Sequence, residues 1–362
     1  MKRDQLPTPA LVLDLERFNK ALSRMAELAA KAGKKLRPHA KTHKSSAIAA
    51  RQLKAGNCAC ICAAKLGEAE VLLKKGIENV LLTSPVAAPC RIRRLAELKL
   101  AHPGLWITAD NVENLRALNS CGIKFDVIAD VNPRMGRTGV EFKDAPAFVK
   151  EILALPNLKF RGIQCYAGNL QHVASAAERG AATVAVMKEA AALVRDLRRD
   201  GIPCEVLTGT GTGTAAFDVE IPELTDIQVG SYCMMDSEYL AVEHGGPRYA
   251  AALKMISSVI SANHPGNATI DAGTKAIYVT PGAPAQVVKN NLPCPGFSYD
   301  WDFGDEHGHL RFPENVSLFP GERVELIVSH CDPTVNLFDE LFIVQKEKVV
   351  DTWKISLRGC CR

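Results

Sequence analysis

Short apolar, β-branched runs alternate with longer amphipathic stretches through the first two thirds of this chain. The runs are 35–38, 59–63, 80–83, 105–109, 125–131, 160–166, 204–208 and 226–230, eight in all. Between them, apolar residues recur at helical spacing in 45–53, 66–75, 87–100, 145–155 and 174–199. Strands that alternate with helices pair in parallel through crossovers, and eight such units predict a closed (β/α)8 TIM barrel. An open doubly wound sheet would carry its glycine-rich turn after the first strand. Here the glycines follow the seventh and eighth.

From about Tyr249 the rhythm changes. The segments 255–260, 268–272, 323–328 and 340–344 read as strands without long helices between them, and Pro and Gly cluster over 281–296. This predicts a second, mostly antiparallel β domain. A further strand, 10–14, precedes the first helix at 15–32 and is available either to the barrel or to the C-terminal sheet. The expected division is 1–15 for that strand, 16–245 for the barrel and 246–362 for the β domain.

At 362 residues, 47% apolar and 23% charged, the composition is that of an ordinary globular chain. A net charge of +4 with no basic stripe excludes nucleic acid as a natural partner. No run reaches the length of a membrane span, and the N-terminus lacks the apolar core of a signal peptide. Of the twelve cysteines, Cys58, Cys60 and Cys62 alternate as one face of a buried strand does, and none forms a C-x-x-C pair. Reduced cysteines and a cytoplasmic location are the expectation.

Barrel enzymes carry their chemistry at the C-terminal ends of the strands. Lys41 follows the first strand, and His39, His43 and Lys44 crowd it; nearby cations lower a lysine's pKa and suit it to Schiff-base chemistry. The fifth strand runs into Arg137, and the sixth ends at Tyr166 with Gln171 and His172 just beyond. The seventh opens into a Gly/Thr run containing Thr210, Gly213 and Thr214, and the eighth into Gly230-Ser231-Tyr232. Glycine backbone N–H groups and hydroxyls at this corner predict a phosphate site. A lysine that forms a Schiff base, beside a phosphate anchor, points to pyridoxal 5'-phosphate. Arg137 suits a phenolate or carboxylate oxygen, with a rim salt bridge as the alternative. Gln228 could reach the ring nitrogen or bond internally. In the C-terminal part, continuing strand 324–328 at period two would put His330 and Asp332 on one face and Cys331 on the other. A His–Asp pair suits manganese or magnesium, whereas His with Cys would favour zinc. A strand-end histidine followed by an Asp-Pro turn is the alternative.

Taken together, Pro38-His39-Ala40-Lys41-Thr42-His43, Arg137-Thr138-Gly139, Tyr166-Ala167-Gly168, Gly211-Thr212-Gly213-Thr214, Gly230-Ser231-Tyr232, Asp305-Glu306-His307-Gly308 and His330-Cys331-Asp332-Pro333 resemble one group. It is the D-threonine aldolase and D-serine dehydratase family of fold-type III, alanine-racemase-like pyridoxal phosphate enzymes. The resemblance implies that Lys41 carries the cofactor and that Arg137 lies near its phenolic oxygen. It implies that Tyr166, Gly213, Thr214, Gly230 and Ser231 hold the phosphate end, and that His330 and Asp332 hold a divalent metal. It also implies a homodimer. Within the family, H-x-D at the metal corner is similar to aldolases and H-x-C to dehydratases. The expected reaction is retro-aldol cleavage of a D-β-hydroxy-α-amino acid, with His172 or a metal-bound water as base. Its rival is β-elimination from D-serine or 3-hydroxyaspartate to a keto acid and ammonia.

Overall fold

Each apolar run of the N-terminal part pairs in parallel with the next. In the computed structural model, which describes residues 1–362, the strands are Lys35–Leu36, Ile61–Ala63, Val80–Leu82, Leu105–Ala109, Phe125–Asp130, Leu158–Cys165, Val206–Gly209 and Asp226–Ile227. First and last are neighbours, with Lys35 opposite Asp226 and Leu36 opposite Ile227. The seam between the first and second strands is closed by parallel bridges from Leu36 to Cys58 and from His39 to Cys62. The sheet therefore closes into a barrel. Its interior holds an apolar layer of Cys60, Cys62, Leu81, Ile128 and Val206 against Trp106. At the N-terminal end of the eighth strand, Arg37 Nε donates to Asp226 Oδ1 at 2.7 Å, and both side chains are buried.

The helices follow from their apolar faces and caps. Leu15–Lys31 starts where Asp14 accepts the N–H of Arg17, and it buries Phe18, Leu22 and Met25. It packs beside the first barrel strand and the turn after the eighth, so a helix from the start of the chain covers the place where a long last helix would lie. The turns after the seventh and eighth strands are correspondingly short, Ala215–Asp218 and Ser237–Leu240. A helix that periodicity alone does not single out, Val112–Asn119, begins where Asn111 Oδ1 accepts the N–H groups of Glu113 and Asn114.

The second sheet has ten strands and is mostly antiparallel. Ala10–Asp14 lies inside it, antiparallel to Leu253–His264 and parallel to Glu340–Gln345. The Pro/Gly-rich stretch holds a small hairpin, Gln286–Lys289 with Leu292–Pro293. Its turn residues, Asn290 and Asn291, have φ of 51° and 65°, the left-handed geometry that two-residue hairpin turns demand and asparagine tolerates. The strands Ser298–Asp300, Gly308–Arg311 and Lys348–Lys354 also lie outside the four expected from the sequence. They are short or largely exposed, so their apolar pattern is faint. No helix is long and apolar enough to cross a membrane, and all twelve cysteines are free.

Candidate active site

A cavity of about 470 Å³ opens at the C-terminal end of the barrel. Lys41, Arg137, Tyr166, Gln228, Gly230 and Ser231 line it, together with His39, Thr42, Thr83, Thr212 and Tyr239. Lys41 Nζ bonds Asp332 Oδ2 at 2.6 Å, which ties the barrel lysine to the second domain. Burial pulls the Lys41 amine down, but Asp332 and Tyr166 outweigh it, and its pKa lies above the ordinary lysine value. The expected crowding by three cations does not occur. His43 Nε2 turns to Gln52 Oε1 at 3.1 Å and Lys44 pairs with Glu68. Burial keeps His39 far below the ordinary histidine value, with Lys41 adding to the effect. His39 Nδ1 accepts the Lys41 N–H at 3.3 Å, so its Nε2–H is the one that faces Thr83 Oγ1 at 3.1 Å.

Arg137 makes no salt bridge; its guanidinium carbon stands 5.3 Å from the centre of the Tyr166 ring. Gln228 is bonded internally, its Nε2 donating to Gln164 Oε1 at 3.1 Å and Thr208 Oγ1 at 3.2 Å. Gln164 Nε2 in turn donates to Asp130 Oδ1 at 2.9 Å. Burial raises the Asp130 carboxyl to about 6 against the hydrogen bonds from Thr138 and Gln164.

The Gly/Thr corner divides into lining and support. The N–H groups of Thr212, Gly230 and Ser231 make no hydrogen bond within the protein. Gly230 has no room for a side chain, because a Cβ would collide with Thr42 Oγ1. Gly213 and Thr214, by contrast, do not line the cavity. The Gly213 N–H donates to Gln171 Oε1 at 3.0 Å, and a Cβ there would strike the Gln171 carbonyl. Thr214 Oγ1 donates to Asp218 Oδ2 at 2.7 Å and accepts from Gln171 Nε2 at 3.1 Å. Buried Arg179 pins the same loop through the Gly213 carbonyl at 2.8 Å. Thr210 is also buried behind the lining, with φ of 72°, a strained conformation for a β-branched residue. Tyr232 points its side chain into the core, its hydroxyl accepting from Gln52 Nε2 at 3.3 Å, while its N–H donates to Thr212 Oγ1 at 3.0 Å.

The corner expected to hold a metal differs from the expected continuous strand. That strand ends at Ile327, and His330 is the N-cap of a helix, Cys331–Val335. Asp332 and Pro333 occupy its first turn, where an acidic side chain meets the positive end of the helix and proline loses no hydrogen bond. The period-two argument therefore fails, yet the two side chains remain neighbours. Burial pushes the Asp332 carboxyl up, but Lys41 and His330 overcome it and hold it at about 2. Asp332 Oδ1 and Thr42 Oγ1 are buried without a hydrogen-bond partner. Cys331 turns away, its thiol donating to the Met235 carbonyl at 3.4 Å.

His330 Nδ1 faces two carboxylates that sequence spacing did not single out, Asp236 Oδ2 at 3.1 Å and Glu238 Oε2 at 3.2 Å. The ligand atoms of His330, Asp236 and Glu238 all lie within 4.8 Å of one another. Their one signal in the chain was alternate spacing after the eighth strand, beside Gly230-Ser231-Tyr232. His172 stands on the other side of Glu238, Nε2 to Oε2 3.6 Å, with its ring 4.4 Å from that of Tyr239. Burial lowers the His172 pKa despite Glu238 and Asp236, leaving a neutral imidazole at pH 7.

A barrel of eight parallel strands joined to a mostly antiparallel β domain is the alanine-racemase-like architecture. The family described as alanine racemase, N-terminal domain, matches residues 13–238, and a putative serine dehydratase domain matches 252–344. The chain belongs to the D-threonine aldolase and D-serine dehydratase family within this alanine-racemase-like class. It is 36% identical to a D-threonine aldolase of Arthrobacter sp. over 99% of this chain and 94% of that protein. It is 33% identical to a 3-hydroxy-D-aspartate aldolase of Paracoccus denitrificans (strain Pd 1222), again over 99% and 94%. The crystal structure of D-threonine aldolase from Filomicrobium marinum superposes with a TM-score of 0.94 at 32% identity, covering 100% of this chain and 98% of that one.

Proposed function

We propose that the protein is a pyridoxal phosphate- and metal-dependent lyase that cleaves D-β-hydroxy-α-amino acids, D-threonine among them, to glycine and an aldehyde. The observation that carries this reading is the contact between Lys41 and Asp332, which puts the barrel lysine and the His330–Asp332 corner in one site. Pyridoxal phosphate fits the residues present. The cavity is of ligand size, Lys41 supplies the amine, and the free N–H groups of Thr212, Gly230 and Ser231 suit phosphate oxygens. Arg137, over Tyr166, is left for the phenolic oxygen. A divalent metal fits as well. Asp332 Oδ1 is a buried acceptor without a partner, and the thiol of Cys331 faces away, so His330 and Asp332 offer one nitrogen and carboxylate oxygen. That set suits manganese or magnesium, with zinc a further candidate.

When bound, the cofactor supplies an electron sink for the pair left on Cα. The metal supplies a Lewis acid that makes a nearby hydroxyl more acidic. His172, neutral at pH 7, takes the proton of the β-hydroxyl, with the Glu238 carboxylate 3.6 Å from its Nε2. The Cα–Cβ bond then breaks, a C=O bond forms on the leaving aldehyde, and Lys41 returns a proton to Cα to give glycine. A homodimer belongs to the same reading, supported by the exposed aromatic side chains of Tyr278, Trp301 and Phe303 on the second domain.

Product analysis with D-threonine tests this directly. Acetaldehyde and glycine are expected with manganese added, and loss of activity with EDTA. A keto acid and ammonia would make the enzyme a dehydratase, and full activity in EDTA would remove the metal. Lys41→Ala is expected to lose the visible absorption of the lysine-bound cofactor and all turnover.

A further inference from the structure

His330 has two ring nitrogens, and only one can face a metal. Its Nδ1 hydrogen-bonds to Asp236 Oδ2 at 3.1 Å. Glu238 Oε2 lies 3.2 Å from the same nitrogen without meeting hydrogen-bond geometry. Both carboxylates stand on the Nδ1 edge, and Nε2 has no hydrogen-bond partner in the protein. A carboxylate at Nδ1 holds the proton there and leaves the lone pair on Nε2.

We propose that Asp236 is the positioning residue for the metal centre, fixing the tautomer and ring orientation of His330 so that Nε2 is presented as a ligand. The proposal rests on the assignment of His330 as a metal ligand made above. Asp236 is fully buried and reaches across the junction of the two domains. Its Oδ1 accepts the Tyr239 N–H at 3.0 Å and so caps the turn Ser237–Leu240. Its Oδ2 accepts the Cys331 N–H at 2.9 Å as well as His330 Nδ1–H. Capping needs one oxygen; the other is devoted to residues 330 and 331. Met235, immediately before, holds φ of 56°, a left-handed value uncommon for a residue with a side chain. Carboxylates behind metal-binding histidines act in this way in general, and their loss lowers metal affinity about 10–100-fold.

The test is manganese affinity of the cofactor-loaded enzyme, measured by competition with a chromophoric chelator well below the melting temperature. Asp236→Asn is expected to bind manganese about 10–100-fold more weakly while keeping the visible absorption of the bound cofactor. Some stability is lost with the cap, but a purely structural Asp236 would leave the affinity of the folded enzyme at the wild-type value, and that result overturns the proposal. A measurement independent of the variant is the nitrogen-15 spectrum of His330 in the metal-free wild-type protein. For the neutral ring a proton on Nδ1 is expected, and a neutral ring protonated on Nε2 overturns the proposal. His330→Ala separates the two assignments. Wild-type manganese binding in that variant overturns the metal assignment itself. Loss there with none in Asp236→Asn overturns the positioning role alone.

Discussion

At the scale of the residue, the site depends on which proton each group holds. Lys41 and Asp332 stabilise each other's charge, the carboxyl held at about 2 and the amine raised. His172 moves the other way. Because burial lowers its pKa, it is a free base at neutral pH and becomes protonated only at more acidic pH than an ordinary histidine. With His172 as the proposed base, active when deprotonated, kcat is expected to be flat at neutral pH. It should fall as pH drops through a value below 6.5, the usual histidine figure. His172→Asn is expected to lower kcat about 10²–10⁴-fold and to remove that acidic limb. A limb at the same place in the variant would assign it to another group. Lys41 and His172 were legible as candidates because strand ends are where a barrel displays its chemistry, whereas His330 and Asp332 were legible only through their spacing and the family resemblance. Thr214 and Tyr232 sit at the same ends but spend their side chains on Asp218 and Gln52. Nothing in their spacing distinguishes a hydroxyl that faces a cavity from one that faces a neighbour.

Among elements, the barrel depends on closure between its first and last strands. Those strands have only two residues each, Lys35–Leu36 and Asp226–Ile227. The Arg37–Asp226 pair reinforces them at the end of the barrel opposite the cavity, where Arg37 Nη1 also donates to Cys60 Sγ at 3.0 Å. Removing one partner of a buried pair leaves the other charge without compensation, at a cost of about 3–5 kcal/mol. Asp226→Ala should therefore lower the urea midpoint without changing turnover per folded molecule. An unchanged midpoint would show that the short strands close the barrel unaided. The helix Cys331–Val335 is the instructive failure of local pattern. A run such as 324–328 extrapolates as strand, but Asp-Pro two and three residues past a cap position starts a helix. His330 and Asp332 meet because that helix turns toward the barrel, and a shared strand face plays no part.

For the whole molecule, the two units of structure are joined twice. Ala10–Asp14 lies between two strands of the C-terminal sheet, and the proposed site draws Lys41, His172 and Asp236 from the barrel but His330 and Asp332 from beyond it. Deleting residues 1–14 would expose the edges of Leu253–His264 and Glu340–Gln345, each able to pair with another chain. The truncated protein is expected to aggregate or to lose its single cooperative melting transition. A soluble, active truncation with the wild-type melting curve would show that this strand is dispensable.

The sequence by itself determined what depends on near neighbours. Period two and period 3.6 mark strands and helices, eight repeats of the unit leave a barrel as the natural closure, and chemistry collects where the strands end. The mostly antiparallel second domain follows from the same change of period. Only the tertiary structure decided contacts between distant parts of the chain. Examples are Lys41 with Asp332, Asp236 with His330, and the turning of Lys44 to Glu68 instead of toward Lys41. The physical reason is that periodicity states which face of an element is buried. The partner that face meets, and so the charge and proton of each side chain, is set by how the elements pack.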